Sequence, residues 1–244
     1  MATQLLYHQD SFLDEAEVRV LTSGKDEQGS YFIPDRTIFY FGGGGQPADT
    51  GSVMGREGKA FPILKALPTP EGLAHYVASP EFPCDPGDRI RISIDPVQRL
   101  LNSRMHTAGH LVGSVIFEQL KWNLHPLKGY HYPDSPYVEF SNPGSLHEFD
   151  AARVDEAMKE LVRADREVFT SSDGSLDRDR EKTFVPEGFP LEAGRSLRWV
   201  GIGGFHYYPC AGTHVQTLGQ LGTVSVKYFK NKKGNIRAAY LVEP

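Results

Sequence analysis

The hydrophobic pattern of this chain changes its period near Asp95, and this change constrains the fold more than any other feature. Before Asp95, apolar and polar residues alternate in short runs that Gly, Pro and Asp interrupt, which is typical of brief β-strands. From Pro96 onward, apolar residues recur at helical spacing over about 25 residues. The sequence therefore predicts an α+β chain with a domain boundary near Asp95.

The first domain, residues 1–94, is predicted to be a small β-barrel that carries a glycine-rich loop. Its strands are expected within five alternating runs, because short strands separated by turn residues are typical of small barrels. The runs are AEVRVLTSG (16–24), YFIPDRTIFYF (31–41), AFPILKALP (60–68), LAHYVAS (73–79) and DRIRISID (88–95).

The second domain, residues 95–244, is predicted to pack long helices on an antiparallel sheet. The first helix is expected over 96–122. The second is expected within 147–169, with Asp150 as its N-cap, because an aspartate there precedes a run of helical period. The expected apolar side of this second helix consists of Val154, Met158, Leu161 and Val162.

Strands are expected to return at the end of the chain. A strand is predicted over 195–203, followed by a hairpin over 221–244 whose turn lies at 231–235. The stretch 121–147 has no clear pattern, so its role is not assigned. Its two histidines are expected to be structural or surface residues, and they are His125 and His131.

Composition excludes several classes of protein. With 244 residues and 39% hydrophobic content, the chain can bury a sizeable core. It has no leader-like start and no long apolar run, so we expect a cytoplasmic protein with no membrane partner. Its net charge of −5 argues against indiscriminate binding to polyanions, and no DNA partner is expected. Two cysteines cannot build a disulfide framework, which favours a reducing compartment, and Cys84 is expected to be a bystander.

Two histidines on one helical face raise the question of a metal site. In SRMHTAGHLVG (103–113), His106 and His110 are four residues apart, so both imidazoles project from the same side of a helix. The signal is weak by itself, since nine histidines in 244 residues give about 0.3 such pairs by chance. The motif also has Thr107 where a metalloprotease HExxH motif has its glutamate, which disfavours that class.

A second pair, Cys210 and His214, repeats the four-residue spacing in a glycine-containing segment. Only about 0.07 such Cys-xxx-His pairs are expected by chance, so the joint occurrence favours convergence on one ion. One thiolate and three imidazoles suit Zn²⁺ in a tetrahedral site. The alternative is a core thiol with capping or surface histidines.

Three motifs, in this order and approximate spacing, resemble those of the alanyl-tRNA synthetase editing domain and its freestanding AlaX relatives. They are RTIFYFGGGGQPADTG (36–51), RMHTAGHL (104–111) and CAGTHV (210–215). The family patterns are similar to T-x-F-Y-P-x-G-G-G-Q-x-x-D-x-G, R-x-H-T-A-x-H-L and C-G-G-T-H. The chain has no aminoacylation or anticodon-reading region, so the resemblance implies a freestanding deacylase.

The chain departs from the family patterns without losing a ligand. Phe41 stands where proline is usual, and Gly42–Gly45 replace an acidic residue followed by three glycines. Ala211 stands where glycine is usual, and Gly109 where threonine is common. The resemblance therefore still implies a Zn²⁺ site formed by His106, His110, Cys210 and His214.

The implied reaction is hydrolysis of tRNA(Ala) mischarged with serine, and also with glycine, at the ester to the terminal ribose. An apolar pocket cannot strongly reject serine in place of alanine, so a polar group that pairs with the serine hydroxyl is needed at the editing site. Thr37, which matches a family threonine, is the candidate for this contact, with Thr107 and Thr213 as rivals. All three are also compatible with ordinary strand or capping roles.

The glycine-rich loop is not a nucleotide-binding motif. It lacks the Lys-Ser/Thr of a Walker loop and the helix of a dinucleotide fingerprint. It either forms a turn that needs positive φ angles or lets the CCA end of a tRNA approach closely. Close approach would use Gly43, Gly44 and Gly45, and Gln46 could hydrogen-bond the ester or a water.

A basic hairpin, KYFKNKKGNIR (227–237), suits contacts with tRNA phosphates because it contains no acidic residue and carries aromatic side chains. A solvated lysine-rich turn explains the same pattern equally well. Arg99 and Arg104 either add to these contacts or pair with nearby carboxylates. The lysines of the hairpin are Lys227, Lys230, Lys232 and Lys233.

Two other functions stay open on the sequence alone. A non-catalytic RNA-binding module would keep zinc and the basic hairpin without turnover, and a zinc hydrolase of small esters or amides would not need tRNA. With four protein ligands the zinc has no open position, so its role as catalytic, positioning or structural is left open. The sequence does not define an oligomeric state.

Overall fold

The computed structural model describes residues 3–55, 58–141, 149–177, 179, 181–190 and 197–243. The helices are α1 (Pro96–Ser114) and α2 (Ala151–Arg163), and the strands are β1 (Gln4–Leu5), β2 (Glu15–Asp26), β3 (Gly29–Pro34), β4 (Arg36–Thr37), β5 (Gly51–Met54), β6 (Ala60–Pro68), β7 (Leu73–Val77), β8 (Arg89–Ile94), β9 (His125–Tyr130), β10 (Tyr137–Ser141), β11 (Val168–Ser171), β12 (Trp199–Ile202), β13 (Tyr207–Pro209), β14 (Thr223–Lys232) and β15 (Asn235–Glu243). The mixed α+β class predicted from the sequence is confirmed.

The chain divides into two compact units. One consists of Met1–Gly43 with Pro47–Leu101, and the other of Gly44–Gln46 with Asn102–Pro244. The tip of the glycine-rich loop therefore belongs to the C-terminal unit, although it is far from it in sequence. Among the described residues, no helix is both long enough and apolar enough to cross a lipid bilayer.

The first unit contains the predicted barrel, closed in the strand order β2-β3-β7-β6-β5-β8. Its interior is filled by aliphatic and aromatic side chains such as Val18, Phe32, Val53 and Ile92. Strand β5, which pairs with both β6 and β8, was not among the predicted runs. Strand β5 has only four residues, too few to show a clear alternation, so the sequence did not predict this strand of the barrel.

The predicted run 31–41 is not one strand. It is divided into β3 and β4 at Asp35, whose carboxylate accepts a hydrogen bond from the backbone N–H of Arg19 at 2.9 Å. Pro34 contributes no N–H donor at the same point. Residues 38–41 lie outside the strands, and Tyr40 instead donates its N–H to the carboxylate of Asp49 at 2.6 Å.

The second unit has a four-stranded sheet in the order β14-β15-β10-β9 and a three-stranded sheet, β11-β12-β13. Helix α2 packs on β14, and the Asp155 carboxylate accepts the N–H of Val226 at 2.7 Å. The β14–β15 hairpin turns at Lys233 and Gly234, both with positive φ, as a two-residue turn requires. The predicted arrangement of helices on an antiparallel sheet is confirmed.

Helix α1 begins where the sequence pattern places it. The Asp95 carboxylate accepts the N–H groups of Val97 and Gln98 at 2.9 and 3.0 Å, and Pro96 fills a position that needs no donor. The helix continues into a π-helical turn, Val115–Gln119. The helix therefore spans most of the predicted range 96–122.

Helix α2 is capped by Asp150, as predicted, but it ends earlier than the apolar pattern indicated. It stops at Arg163, and Asp165 has a φ of +46°. Residues 168–171, whose Val, Phe and Thr favour extended structure, form strand β11 and pair with β12. Residues 147, 148, 195 and 196, at the starts of two predicted segments, lie outside the described residues.

Candidate metal centre

The four predicted metal ligands converge. The ligand atoms of His106, His110, Cys210 and His214 all lie within 4.8 Å of one another. His106 and His214 are buried, whereas His110 and Cys210 are partly buried. Segments about 100 residues apart in the sequence thus form one group that could hold a metal ion.

Helix α1 contributes the first pair of ligands. His106 and His110 lie one turn apart, and their ring centroids are separated by 5.2 Å. The edge of Tyr208 contacts His110 at 5.8 Å between ring centroids, and the Tyr208 hydroxyl donates to the Glu118 carboxylate at 2.9 Å. These contacts restrict the orientation of the His110 ring.

The loop after β13 contributes the second pair, and it is held close to the helix. A Cβ atom at Gly212 would lie 2.2 Å from Cε1 of His106, so the loop can approach only with glycine at this position. Ala211 is exposed, which explains why a residue other than glycine is tolerated there. The Arg198 guanidinium donates to the carbonyls of Cys210 and Gly212, each at 2.9 Å, and fixes the loop.

Two of the distances between donor atoms match those of a tetrahedral zinc site. Sγ of Cys210 lies 3.5 Å from Nε2 of His106 and 3.3 Å from Nε2 of His214. Typical Zn–S and Zn–N bonds at tetrahedral angles separate such donors by about 3.6 Å. The donor set of one sulfur and three imidazoles also matches the preferences of Zn²⁺.

Gln46 orients the first ligand. Its side-chain oxygen accepts a hydrogen bond from Nδ1 of His106 at 2.7 Å and from the N–H of Thr213 at 3.0 Å. Its amide nitrogen donates to the Thr213 hydroxyl at 2.9 Å. Such outer contacts fix the tautomer of a ligand histidine, so that Nε2 of His106 faces the sulfur. The predicted contact of Gln46 with the ester or a water stays a prediction.

Thr107 orients the second loop ligand in the same way. Its hydroxyl oxygen lies 3.0 Å from Nδ1 of His214 and accepts the N–H of Val215 at 3.2 Å. Because Nδ1 of His214 faces this hydroxyl, Nε2 is the nitrogen directed at Cys210, 3.3 Å from its Sγ. Thr107 is therefore beside the ligands, as its position in the motif predicts.

Burial controls the protonation of the ligand group. It lowers the pKa of His110 to about 4, and it holds the pKa of His106 and of His214 well below the usual range, with neighbouring imidazoles and Arg198 adding to the effect. Burial raises the pKa of the Cys210 thiol despite the opposing influence of Arg198. Near neutral pH the imidazoles are thus neutral, the protonation state that binds a cation, while the thiol must lose a proton to do so.

Thr37 lies in the barrel unit and is completely buried. The imidazole Nδ1 of His75 is 2.9 Å from the carbonyl of Leu73, which can only accept, so Nε2 of His75 accepts from the Thr37 hydroxyl at 2.9 Å. The same hydroxyl oxygen accepts the N–H of Phe39 at 3.1 Å. Its predicted contact with serine stays a prediction.

The glycine-rich loop has four successive residues with positive φ, Gly42–Gly45, as the turn interpretation requires. A Cβ at Gly45 would lie 2.2 Å from the carbonyl oxygen of Gly129, so the loop approaches its own chain at this point. Gly43 and Gly44 are exposed, and Gly44 has open space where its Cβ would be. Close approach by a substrate stays a prediction for these three glycines.

The predicted basic hairpin exists, and its four lysines are exposed on β14 and its turn. Arg237, however, donates to the Glu139 carboxylate at 2.7 Å and lies over the Tyr137 ring, with 4.2 Å between guanidinium carbon and centroid. Lys128 adds a second cation 3.6 Å from Glu139. The accessible positive charge is therefore concentrated on the lysines.

Arg99 is 2% exposed and forms an ion pair with the Asp49 carboxylate. Its guanidinium also donates to the carbonyls of Ile38 and Ser11, at 2.6 and 2.8 Å. Of the two alternatives left open by the sequence, pairing with a carboxylate is therefore correct for Arg99. Arg104 instead donates to the carbonyl of Gln220 at 2.6 Å.

One residue of the centre was missed by sequence reasoning. His131 is 4% exposed, and its ring stacks on that of His106 with 4.6 Å between centroids and 27° between planes. Burial lowers its pKa to about 3. No spacing signal could have found it, because it is distant from every motif in the sequence and lies in a stretch without a clear period.

Comparisons with known proteins agree with this geometry. The model of the threonyl and alanyl tRNA synthetase second additional domain matches residues 197–237, which include the Cys210 and His214 ligands. This stretch of the chain is thus similar to a domain associated with these synthetases.

Similarity to individual proteins extends over nearly the whole chain. An alanyl-tRNA editing protein AlaX-M from Methanosarcina mazei is 30% identical, covering 98% of this chain and 95% of that protein. The AlaX-M of Methanosarcina acetivorans is 28% identical, with 98% of each chain covered. The alanine–tRNA ligase of Methanoregula boonei is 26% identical, and the match spans 92% of this chain but only 24% of the ligase. This chain belongs to the alanyl-tRNA editing protein AlaX-M family.

Proposed function

We propose that this protein is a trans-editing deacylase that removes serine, and also glycine, from mischarged tRNA(Ala) by hydrolysis of the ester bond. We also propose that its ligand group holds Zn²⁺. The observation that carries the proposal is the convergence of four donor atoms within 4.8 Å in a chain of the alanyl-tRNA editing family. In the reaction, the oxygen of water bonds to the ester carbonyl carbon, and the bond from that carbon to the ribose oxygen breaks. The ribose oxygen takes a proton, releasing the free amino acid and intact tRNA.

The residues of this chain prepare the site before substrate arrives. Gln46 and Thr107 hold two imidazoles by their Nδ1 atoms, so the Nε2 atoms stay directed at the sulfur. The group that would hold Zn²⁺ consists of His106, His110, Cys210 and His214, and the ion would link the two ligand segments or supply Lewis-acid polarisation of a substrate oxygen.

A first experiment tests the reaction itself. The purified protein is incubated with Ser-tRNA(Ala), Gly-tRNA(Ala) and Ala-tRNA(Ala), with and without a chelator, and in parallel with Cys210→Ala. We expect the protein to release serine but not alanine, and we expect the release of serine to stop when the metal is chelated. Tight tRNA binding without release of the amino acid would favour the non-catalytic RNA-binding module. Hydrolysis of small esters alone would favour the zinc hydrolase of small esters or amides.

A second experiment identifies the ligand set without measuring activity. Replacement of the metal by Co²⁺ should give the intense visible bands of a tetrahedral site and a thiolate-to-metal charge-transfer band. The thiolate band should vanish in Cys210→Ser. If the band persists, Cys210 is not a ligand and the proposed zinc site is wrong.

Binding of tRNA is proposed to use the exposed lysines of the β14–β15 hairpin. Because each phosphate contact releases a counterion, the slope of log affinity against log salt should decrease by up to about 0.9 for each lysine removed. Lys230→Gln and Lys232→Gln test this, with the exposed barrel residue Lys25→Gln as a matched control. An unchanged slope in both hairpin variants would leave the solvated turn as the explanation.

A further inference from the structure

His131 presents a hydrogen-bond acceptor beside the metal ligands that no motif includes. The imidazole is in the same compact unit as the ligand group, and it stacks on His106 with 4.6 Å between ring centroids. His131 is not a member of the ligand group, whose four donor atoms come from other residues. Its side chain therefore needs a separate explanation.

The hydrogen bonds of this ring determine which nitrogen is available. Nδ1 of His131 lies 2.7 Å from the hydroxyl oxygen of Tyr240, and the same hydroxyl lies 2.8 Å from the carbonyl oxygen of Met105. A hydroxyl has one proton, and a carbonyl can only accept. Both contacts are hydrogen bonds only if Tyr240 donates to Met105 and Nδ1–H of His131 donates to Tyr240. Nε2 is then a bare acceptor, and no residue in the described part of the chain donates to it.

The backbone on two sides packs closely against the ring. A Cβ atom at Gly109 would lie 2.2 Å from Cε1 of His131, and one at Gly129 would lie 2.1 Å from its Nε2. The N–H of His131 donates to the carbonyl of Gly45 at 2.8 Å, which attaches the ring's own backbone to the glycine-rich loop. A threonine at position 109, common in the family pattern, could not coexist with this ring. Gly109 and His131 are thus coupled in this chain.

The rival groups for reading a substrate hydroxyl are already engaged. The Thr107 oxygen faces Nδ1 of His214 and the N–H of Val215. The Thr213 oxygen accepts from the Gln46 amide at 2.9 Å, and it lies 2.7 Å from the Ser103 hydroxyl, with which it forms a second hydrogen bond. The Thr37 hydroxyl donates within the barrel core. By contrast, Nε2 of His131 has a lone pair and no partner among the described residues.

We propose that Nε2 of His131 accepts a hydrogen bond from the side-chain hydroxyl of the seryl group, and that this contact distinguishes serine from alanine. The proposal rests on the proposed editing function and names the residue that gives it specificity. Serine satisfies the acceptor, whereas alanine in the same position leaves it buried and unpaired, which costs free energy. The ring is a specificity residue, and it transfers no proton in this role.

Two substitutions separate the acceptor from the structural contact. His131→Asn puts an amide group near the position of Nδ1, so it keeps a donor for Tyr240 and removes the acceptor. His131→Gln reaches the position of Nε2 and can restore an acceptor there, while it loses the bond to Tyr240. The quantity measured is the ratio of kcat/KM for Ser-tRNA(Ala) to that for Ala-tRNA(Ala).

The ratio should fall about tenfold in His131→Asn, equivalent to about 1.4 kcal/mol, and should stay within about threefold of wild type in His131→Gln. Binding of amide-linked, non-hydrolysable seryl and alanyl adenosine supplies a readout without turnover, and the preference for the seryl compound should disappear in His131→Asn. An unchanged ratio in His131→Asn overturns the proposal. An equal loss for both substrates, or loss of the ratio in Thr37→Val alone, also overturns it.

The metal content of each variant is measured in parallel. If His131→Asn fails to fold or loses its metal, Gly109→Ala carries the test, because its Cβ displaces the ring and should lower the same ratio. A wild-type protein that releases no serine at all would refute the editing function itself. A wild-type protein that discriminates serine from alanine, with the ratio unchanged in the variants, would refute only the role of His131.

Discussion

The affinity of the centre for zinc should depend on pH through one proton only. Burial keeps the pKa of all three imidazole ligands below the usual range and raises that of the Cys210 thiol. Between pH 7 and pH 5 the metal must displace the thiol proton, which costs tenfold per pH unit, or about 100-fold in total. Three histidines with an ordinary pKa of about 6.5 would each add about 25-fold over this range, giving a total of about 10⁶-fold.

Competition with a chromophoric chelator, corrected for the protonation of the chelator, measures this dependence. Calorimetry in two buffers of different ionisation enthalpy should count close to one proton released per zinc at pH 6. Cys210→Ala is the matched control, since it should bind zinc more weakly but with little pH dependence between pH 7 and pH 5. Release of two or more protons at pH 6 would refute the conclusion that burial keeps the imidazoles neutral.

Three further substitutions test particular contacts. Gly212→Ala should lower zinc affinity at least tenfold, because its Cβ would lie 2.2 Å from the His106 ring. Ala211→Ser, on the exposed side of the same loop, is the control and should leave the affinity unchanged. The zinc content of each variant after dialysis measures the difference. Arg99→Ala leaves the Asp49 carboxylate buried without its cation, so urea denaturation should show a loss of about 3–5 kcal/mol, and a loss under about 1 kcal/mol would contradict this account. Burial lowers the pKa of His75 to about 4, below the unfolded value, so the stability that the neutral ring contributes is complete above about pH 6.5 and is lost on acidification towards pH 4. Between pH 7 and pH 5 the free energy of unfolding of the wild type should therefore fall by about 2 kcal/mol more than that of His75→Asn.

Elements that depend on local pattern were predictable. The start of α1 follows from Asp95 and Pro96, and that of α2 from Asp150, because capping is a local interaction that residue type and position reveal. The barrel was predictable as a class from five alternating runs. Strand β5 and the break at Asp35 were not, since both depend on which neighbouring strand supplies a hydrogen-bond partner.

The sequence by itself predicted which four residues come together in the group that could hold a metal ion, because a four-residue spacing repeated with a thiol and imidazoles is typical of zinc ligands. Only the tertiary structure decided what surrounds them. The contact of Gln46 with His106 joins residues 60 positions apart, and the packing of His131 against the same ring joins residues 25 positions apart. No pattern along the chain specifies such contacts, since they arise when separate elements pack and exclude water.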